Sequence, residues 1–106
     1  LAVLSGTCGL ALACSGGVHS GADAAQAILC GAHVVQLASS LLAHGPAHAG
    51  VLKADLNAWL DAKGYTSSAE ARAVLSLDRV PDPTVWTRVN YLRSLQSWPG
   101  IPAGRR

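Results

Sequence analysis

The sequence predicts an α/β chain that forms the C-terminal portion of a (β/α)8 TIM barrel, namely its last two βα units followed by a helical tail. Three observations predict it. Two short apolar runs, Leu10–Cys14 and His33–Leu37, flank one helical segment. Glycine and serine follow the first run at Ser15-Gly16-Gly17, and Ala38-Ser39-Ser40 follows the second. A long helical stretch then comes after the second run, so that each strand leads through a small polar loop into a helix. Two parallel strands leave faces and edges uncovered, so the missing strands are expected upstream.

Each element has its own warrant. Leu10–Cys14 is a continuous apolar run bounded by glycines, the pattern of a strand buried on both faces. Ser20 is a helix cap, Asp23 lies in the first turn beside the positive helix end, and Ala24, Ala25, Ala27, Ile28 and Leu29 supply packing faces. Gly31 suits a left-handed C-terminal position. His33–Leu37, with Val34 and Val35 at its centre, completes a strand–helix–strand unit, which requires parallel strands. A helical turn over Leu41–His44 is stopped by Gly45.

Pro46 then opens a long helix to about Lys63, closed by Gly64, with Val51, Leu52, Leu56, Trp59 and Leu60 as one apolar stripe expected to dock on the sheet. Ser67 and Glu70 have capping-box spacing and start a short helix to about Val74. Asp82 and Pro83 start a last helix whose expected buried side is Val85, Trp86, Val89, Leu92 and Leu95, with Arg88 and Arg93 on a solvated face. Pro99-Gly100-Ile101-Pro102 ends it. The expected divisions are 1–64 for the barrel part, 65–98 for a helical extension and 99–106 for a flexible tail.

Composition narrows the function. Among 106 residues, half are hydrophobic, 13% are charged and the net charge is +2, which fits a globular chain of one domain at most. Basic residues form no stripe, so nucleic acid is not an expected partner. Cys8, Cys14 and Cys30 are odd in number and show no CxxC spacing, so neither a disulfide framework nor zinc is expected, and a reducing cytoplasm fits. No apolar run reaches the roughly 18 residues that span a bilayer. The chain begins at Leu1, and LAVLSG reads as the end of an element with no cap before it, so a longer parent protein is expected.

The chemistry is expected in the loops. Glycine lets backbone N–H groups approach an anion without a Cβ in the way, and Gly16 and Gly17 meet that need. The helix after Ser20 adds oriented N–H groups, while Ser39 and Ser40 offer a second set of donors at the next strand end. A Gly-Gly pair alone is more often a tight turn; the pairing of two adjacent strand ends favours a phosphate site. His44 and His48 are four apart, but Gly45-Pro46 breaks the helix between them, and no metal site is expected. His19 could help neutralise a phosphate or lie on the surface. His33 is given no function. Cys14 and Cys30 read as small buried hydrophobes, and Trp59, Trp86 and Trp98 as packing anchors.

The stretch SGGVHSGADAAQAILCGAHVVQLASSLLAHGP, followed by LNAWLDAKGY, resembles the C-terminal segment of the dihydroorotate dehydrogenase family, flavin enzymes built on a (β/α)8 barrel. PDPTVWTRVNYLRSLQSW resembles the tail of a bacterial branch called dihydroorotate dehydrogenase-like. The likeness runs from Leu1, placed at the end of the sixth barrel helix, to Trp98. It implies FMN as cofactor, its phosphate bound by Gly16, Gly17, Ala38 and Ser39, and a dihydropyrimidine-like substrate for an oxidoreductase of pyrimidine metabolism. Ala38 stands where the family has glycine, and Ser39 where it has threonine. The family's catalytic base and its flavin-contacting lysine and asparagines fall upstream, so no residue here is assigned to catalysis and the chain alone is expected to be inactive. Two other readings stay open: a barrel enzyme that takes another phosphate ligand, and a non-catalytic module with a vestigial cradle whose helical tail makes subunit contacts. Homo-oligomerisation is also left open.

Overall fold

The structure, a computed structural model, describes residues 1–97. Its elements run α1 (Ala2–Ser5), β1 (Ala13–Ser15), α2 (Gly21–Leu29), β2 (Val34–Gln36), α3 (Ser39–His44), α4 (His48–Ala62), α5 (Ser68–Ala71), a 3-10 turn (Leu77–Arg79) and α6 (Pro83–Ser97). The fold is mixed α/β with a small parallel sheet. β1 pairs with β2, with Ala13 opposite Val34, Cys14 opposite Val35 and Ser15 opposite Gln36. The crossover through α2 makes the pair parallel, as the strand–helix–strand pattern requires.

Both strands are shorter than the apolar runs that announced them, and burial on both faces is not what the structure shows. Leu10 is 72% exposed and precedes the strand. Along each strand only the central residue, Cys14 or Val35, is half-buried, while Ala13, Ser15, Val34 and Gln36 are exposed. The cause is the layering: Val35 packs with Ile28 and Leu60 from the helices, and among the described residues nothing lies on the other face. The ladder reaches one residue further back, where Leu12 O accepts from His33 N at 2.7 Å. His33 Nδ1 in turn accepts from Leu12 N at 3.2 Å, giving this histidine a structural place at the start of the sheet.

α2 is specified locally at both ends. Ser20 Oγ accepts from Asp23 N and the Asp23 carboxylate accepts from Ser20 N, a complete capping box. At the other end Gly31 N donates to Ile28 O and Ala32 N to Ala27 O, the Schellman pattern, with Gly31 at φ 109°. Ala24, Ala25, Ala27 and Ile28 are buried.

α4 docks on α2, where the sequence pattern pointed to the sheet. The approach is close because Gly21 has no side chain: a Cβ there would come within 2.7 Å of Leu56 N, a backbone atom that cannot step aside. Small residues on α2 thus let the helices meet and leave Val35 as the sheet's contribution to the cluster. Of the predicted stripe, Leu52 and Leu60 are buried and Leu56 and Trp59 half-buried, whereas Val51 is exposed. Trp59 stacks on Tyr65 with ring centroids 6.3 Å apart.

The remaining segments follow the predicted starts more closely than the predicted ends. Ser67 caps α5 by accepting from Glu70 N at 3.3 Å, but the Glu70 carboxylate turns to Thr66 N and Oγ1, at 2.8 Å each, and α5 ends at Ala71 instead of Val74. The next segment is tied back to the amino-terminal helix: Ser5 Oγ donates to the buried Ser76 Oγ at 2.7 Å, and Ser76 Oγ donates to Asp78.

Asp82 starts α6 by accepting from Thr84 N at 3.1 Å. The expected burial of Val85, Trp86, Val89, Leu92 and Leu95 is not found, since each is 43–57% exposed and α6 has no buried residue. Spacing predicted the stripe, but among the described residues no element packs along it. Trp86 is therefore not the anchor expected, while Arg88 and Arg93 are exposed. Trp98, the Pro99–Pro102 stop and the tail 99–106 lie outside the described residues.

Candidate functional site at the strand ends

The parallel register ends at Ser15 opposite Gln36. Gly16 and Gly17 are the next two residues on one strand, and Ala38 and Ser39 follow one residue later on its neighbour. The fold thus puts all four sequence-predicted residues at the same end of the sheet, and all four are exposed.

Gly16 and Gly17 have φ of +85° and +74°, a region where side chains are disfavoured, and a Cβ on either would meet no atom within 4 Å. The glycines are therefore required by backbone conformation, with open space before them, and not by crowding. Ala38 has φ −133°, outside the left-handed region that favours glycine.

The two helices that follow these loops differ in what they leave free. α3 begins at Ser39, two residues earlier than its predicted Leu41, and its N-cap Ala38 supplies no side-chain cap. The first backbone bonds run from Leu41 N and Leu42 N to Ala38 O, at 3.1 and 3.0 Å, so the N–H groups of Ser39 and Ser40 come before them, without intrahelical acceptors. Ser40 is fully buried and its Oγ has no partner, so Ser39 is the exposed donor residue at this helix start.

α2 is already occupied by its own residues. The Asp23 carboxylate accepts from His19 N at 3.0 Å and from Ser20 N at 2.9 Å. The bond from His19 N, followed by the contribution of the Ser20 side chain, holds this carboxyl below its ordinary value of 3.8, so it is a charged acceptor at neutral pH. A second anion at this helix end would meet a like charge, although the Gly21 and Ala22 N–H groups, like those of Ser39 and Ser40, come before the first intrahelical bond, which runs from Ala24 N to Ser20 O. The expected help from the α2 dipole is therefore reduced by the Asp23 charge. The Ser-x-x-acid spacing of Ser20 and Asp23 was the signal for this arrangement.

A groove of about 480 Å³ adjoins Gly16 and Gly17 on the helix side, with Cys14, Asp23, Cys30 and Trp86 in its walls. It is mostly apolar, its one charged side chain is Asp23, and neither Ala38 nor Ser39 borders it, so it is a different place from the strand-end cradle. Cys14 and Cys30 are half-buried free thiols. His44 and His48 come together across the Gly45-Pro46 break, with ring centroids 4.6 Å apart. Among the described residues no group of three His, Cys, Asp or Glu is placed to hold a metal ion. His19 is exposed beside the glycines and its backbone N–H is committed to Asp23.

The exposed glycine loop, the Ser39 N–H before the first intrahelical bond and the Ser39 hydroxyl form a donor set of the kind a phosphate would need. No protein-family model matches the chain. The chain is similar to a dihydroorotate dehydrogenase (quinone) of Azorhizobium caulinodans, 53% identical over 57 residues, which is 54% of this chain and 16% of that protein. It is similar to the enzyme of the same name from Xanthobacter autotrophicus, 46% identical over 59 residues, 56% of this chain and 16% of that protein. A dihydroorotate dehydrogenase (fumarate) of Saccharomyces paradoxus is 36% identical over 62 residues, 58% of this chain and 20% of that protein. The matched segment spans about a sixth to a fifth of the length of these relatives.

Proposed function

We propose, from the premise that this chain is dihydroorotate dehydrogenase-like over the matched segment, that it is the C-terminal part of an FMN-dependent oxidoreductase acting on a dihydropyrimidine. In this reading residues 1–64 are the last two βα units of a (β/α)8 barrel and 65–98 a helical extension. The observation that carries it is the pairing of two parallel strand ends, one with two left-handed glycines and one with uncapped N–H groups, at a single edge of the sheet. Barrel enzymes place phosphate sites at this end, so the location fits.

Gly16, Gly17, Ala38 and Ser39 would hold the FMN phosphate, through backbone N–H groups and the Ser39 hydroxyl. When bound, FMN supplies the hydride acceptor, chemistry that belongs to the cofactor. This chain's residues would bind and orient it: the glycines one side of the phosphate, Ala38 and Ser39 the other, with the α2–α4 packing supporting the two strand ends. No proton-transferring group is assigned here, so the chain alone is inactive in this reading, with the base contributed by the rest of the protein. Free thiols at Cys8, Cys14 and Cys30 suit a reducing cytoplasm. No helix of the described residues is long and apolar enough to cross a membrane.

The cradle by itself recognises a phosphate and is indifferent to what the phosphate carries. The names of the relatives favour FMN over a sugar phosphate. Purification of the full-length protein tests this directly: the expected product is yellow and releases about one FMN per chain on denaturation. A colourless protein that ignores added FMN but binds another phosphorylated ligand would shift the reading to a different barrel enzyme. One that binds no phosphorylated ligand would point to the non-catalytic module.

A further inference from the structure

The open face of the sheet has a polarity gradient along the strands. At its start the exposed pair is Ala13 opposite Val34, both apolar; at its end the exposed pair is Ser15 opposite Gln36, both polar. Side chains alternate along a strand, so these pairs share one face, opposite the helix-covered Cys14 and Val35. Neither the Ser15 hydroxyl nor the Gln36 amide makes a side-chain hydrogen bond within the described residues.

If the proposed barrel is correct, this face looks into it, and an interior amide needs partners because an unpaired buried amide is costly. Gln36 lies two residues before Ala38, about 7 Å along the strand, just inside the mouth from the phosphate cradle. Its side chain offers an acceptor and two donors side by side. The matching ligand edge is a carbonyl next to an N–H, an imide. We propose that the Ser15–Gln36 rung recognises an imide edge, with Gln36 as the principal contact and Ser15 as its neighbouring hydroxyl. This assignment rests on the FMN reading and adds to it residues that face the ring end of the site. Imide chemistry is carried both by the flavin ring and by a dihydropyrimidine substrate, and the test separates them.

The experiment measures dissociation constants of FMN, riboflavin and N3-methyl-FMN for the full-length apoprotein by flavin fluorescence, in wild type and in Gln36→Leu. If Gln36 reads the flavin edge, wild type binds FMN about tenfold tighter than N3-methyl-FMN, and Gln36→Leu reduces that ratio to near one. If it reads the substrate edge, the ratio is near one in both proteins, and Gln36→Leu raises KM for the dihydropyrimidine about tenfold with kcat little changed. Recovery of either effect in Gln36→Asn supports a hydrogen-bonding role. A ratio and a KM that Gln36→Leu leaves alone overturn the proposal. Should Gln36→Leu not fold, Ser15→Ala replaces it, with a smaller change in the same quantities expected and no change overturning the rung. A wild type that binds FMN no tighter than riboflavin instead overturns the phosphate reading beneath it, so the two failures are distinct.

Discussion

The two strand ends look alike in outline and differ in what they have left to give. After β1, the chain turns through two left-handed glycines into α2, whose first turn carries the Asp23 carboxylate in a capping box with Ser20. After β2, it enters α3 directly from Ala38, with no side-chain cap. The difference is one of charge: a capping box stabilises the helix by placing a carboxylate where a phosphate would sit. In the proposed reading the glycine loop and α3 hold the phosphate, while α2 serves as scaffold.

The largest expected effect is at the glycine loop. Gly17→Val forces a β-branched residue into positive φ and obstructs backbone approach; about 3 kcal/mol, or about 100-fold in FMN affinity of the full-length protein, should be lost. Calorimetric titration with FMN would show it, and an unchanged affinity would remove the glycines from the site.

Next, adding a charge tells the two ends apart. Ala38→Asp places a carboxylate at the free end and should weaken FMN binding by about 2 kcal/mol, about 30-fold. The same charge added at the occupied end, Ala22→Asp, should change it by less than about threefold, given screening and an existing carboxylate nearby. Equal effects would erase the distinction drawn between the ends.

Ser39→Ala, which removes the exposed hydroxyl but keeps the N–H, should cost about 1 kcal/mol, about fivefold in affinity, and Ser39→Thr should recover it.

The smallest effect concerns α2 and pH. The Asp23 carboxyl is held below 3.8 by bonds made only in the folded chain, so its contribution to stability is fully present above that value and is lost as pH falls through the lower, folded-state value. Acid unfolding followed by circular dichroism should therefore be shallower below 3.8 in Asp23→Asn than in wild type. Identical acid limbs would show that the cap contributes nothing measurable.

How much of this was legible in the sequence depends on how local each cause is. α2 could be read in full because its cap, its Schellman turn and its alanine face all lie within a dozen residues. The shared end for the two loops was also legible, since a strand–helix–strand crossover leaves no other topology. Burial was not. Leu10 and the apolar stripe of α6 have the composition of interior segments, but burial belongs to whatever packs on them, and among the described residues they stay exposed. The docking of α4 on α2 instead of the sheet turned on Gly21, whose missing side chain admits Leu56; spacing alone does not announce that contact. At the site, Ser20 and Asp23 were read as a cap and a dipole partner separately. Their joint consequence, a carboxylate held across the entrance of α2, needed the geometry.

The proposed grip of the strand ends on a phosphate is tested most directly by the ratio of dissociation constants for riboflavin and FMN, which differ only by that group, in the full-length apoprotein. Two or more charge-assisted hydrogen bonds predict FMN to bind at least about 100-fold tighter. Equal affinities for the two flavins would contradict the account.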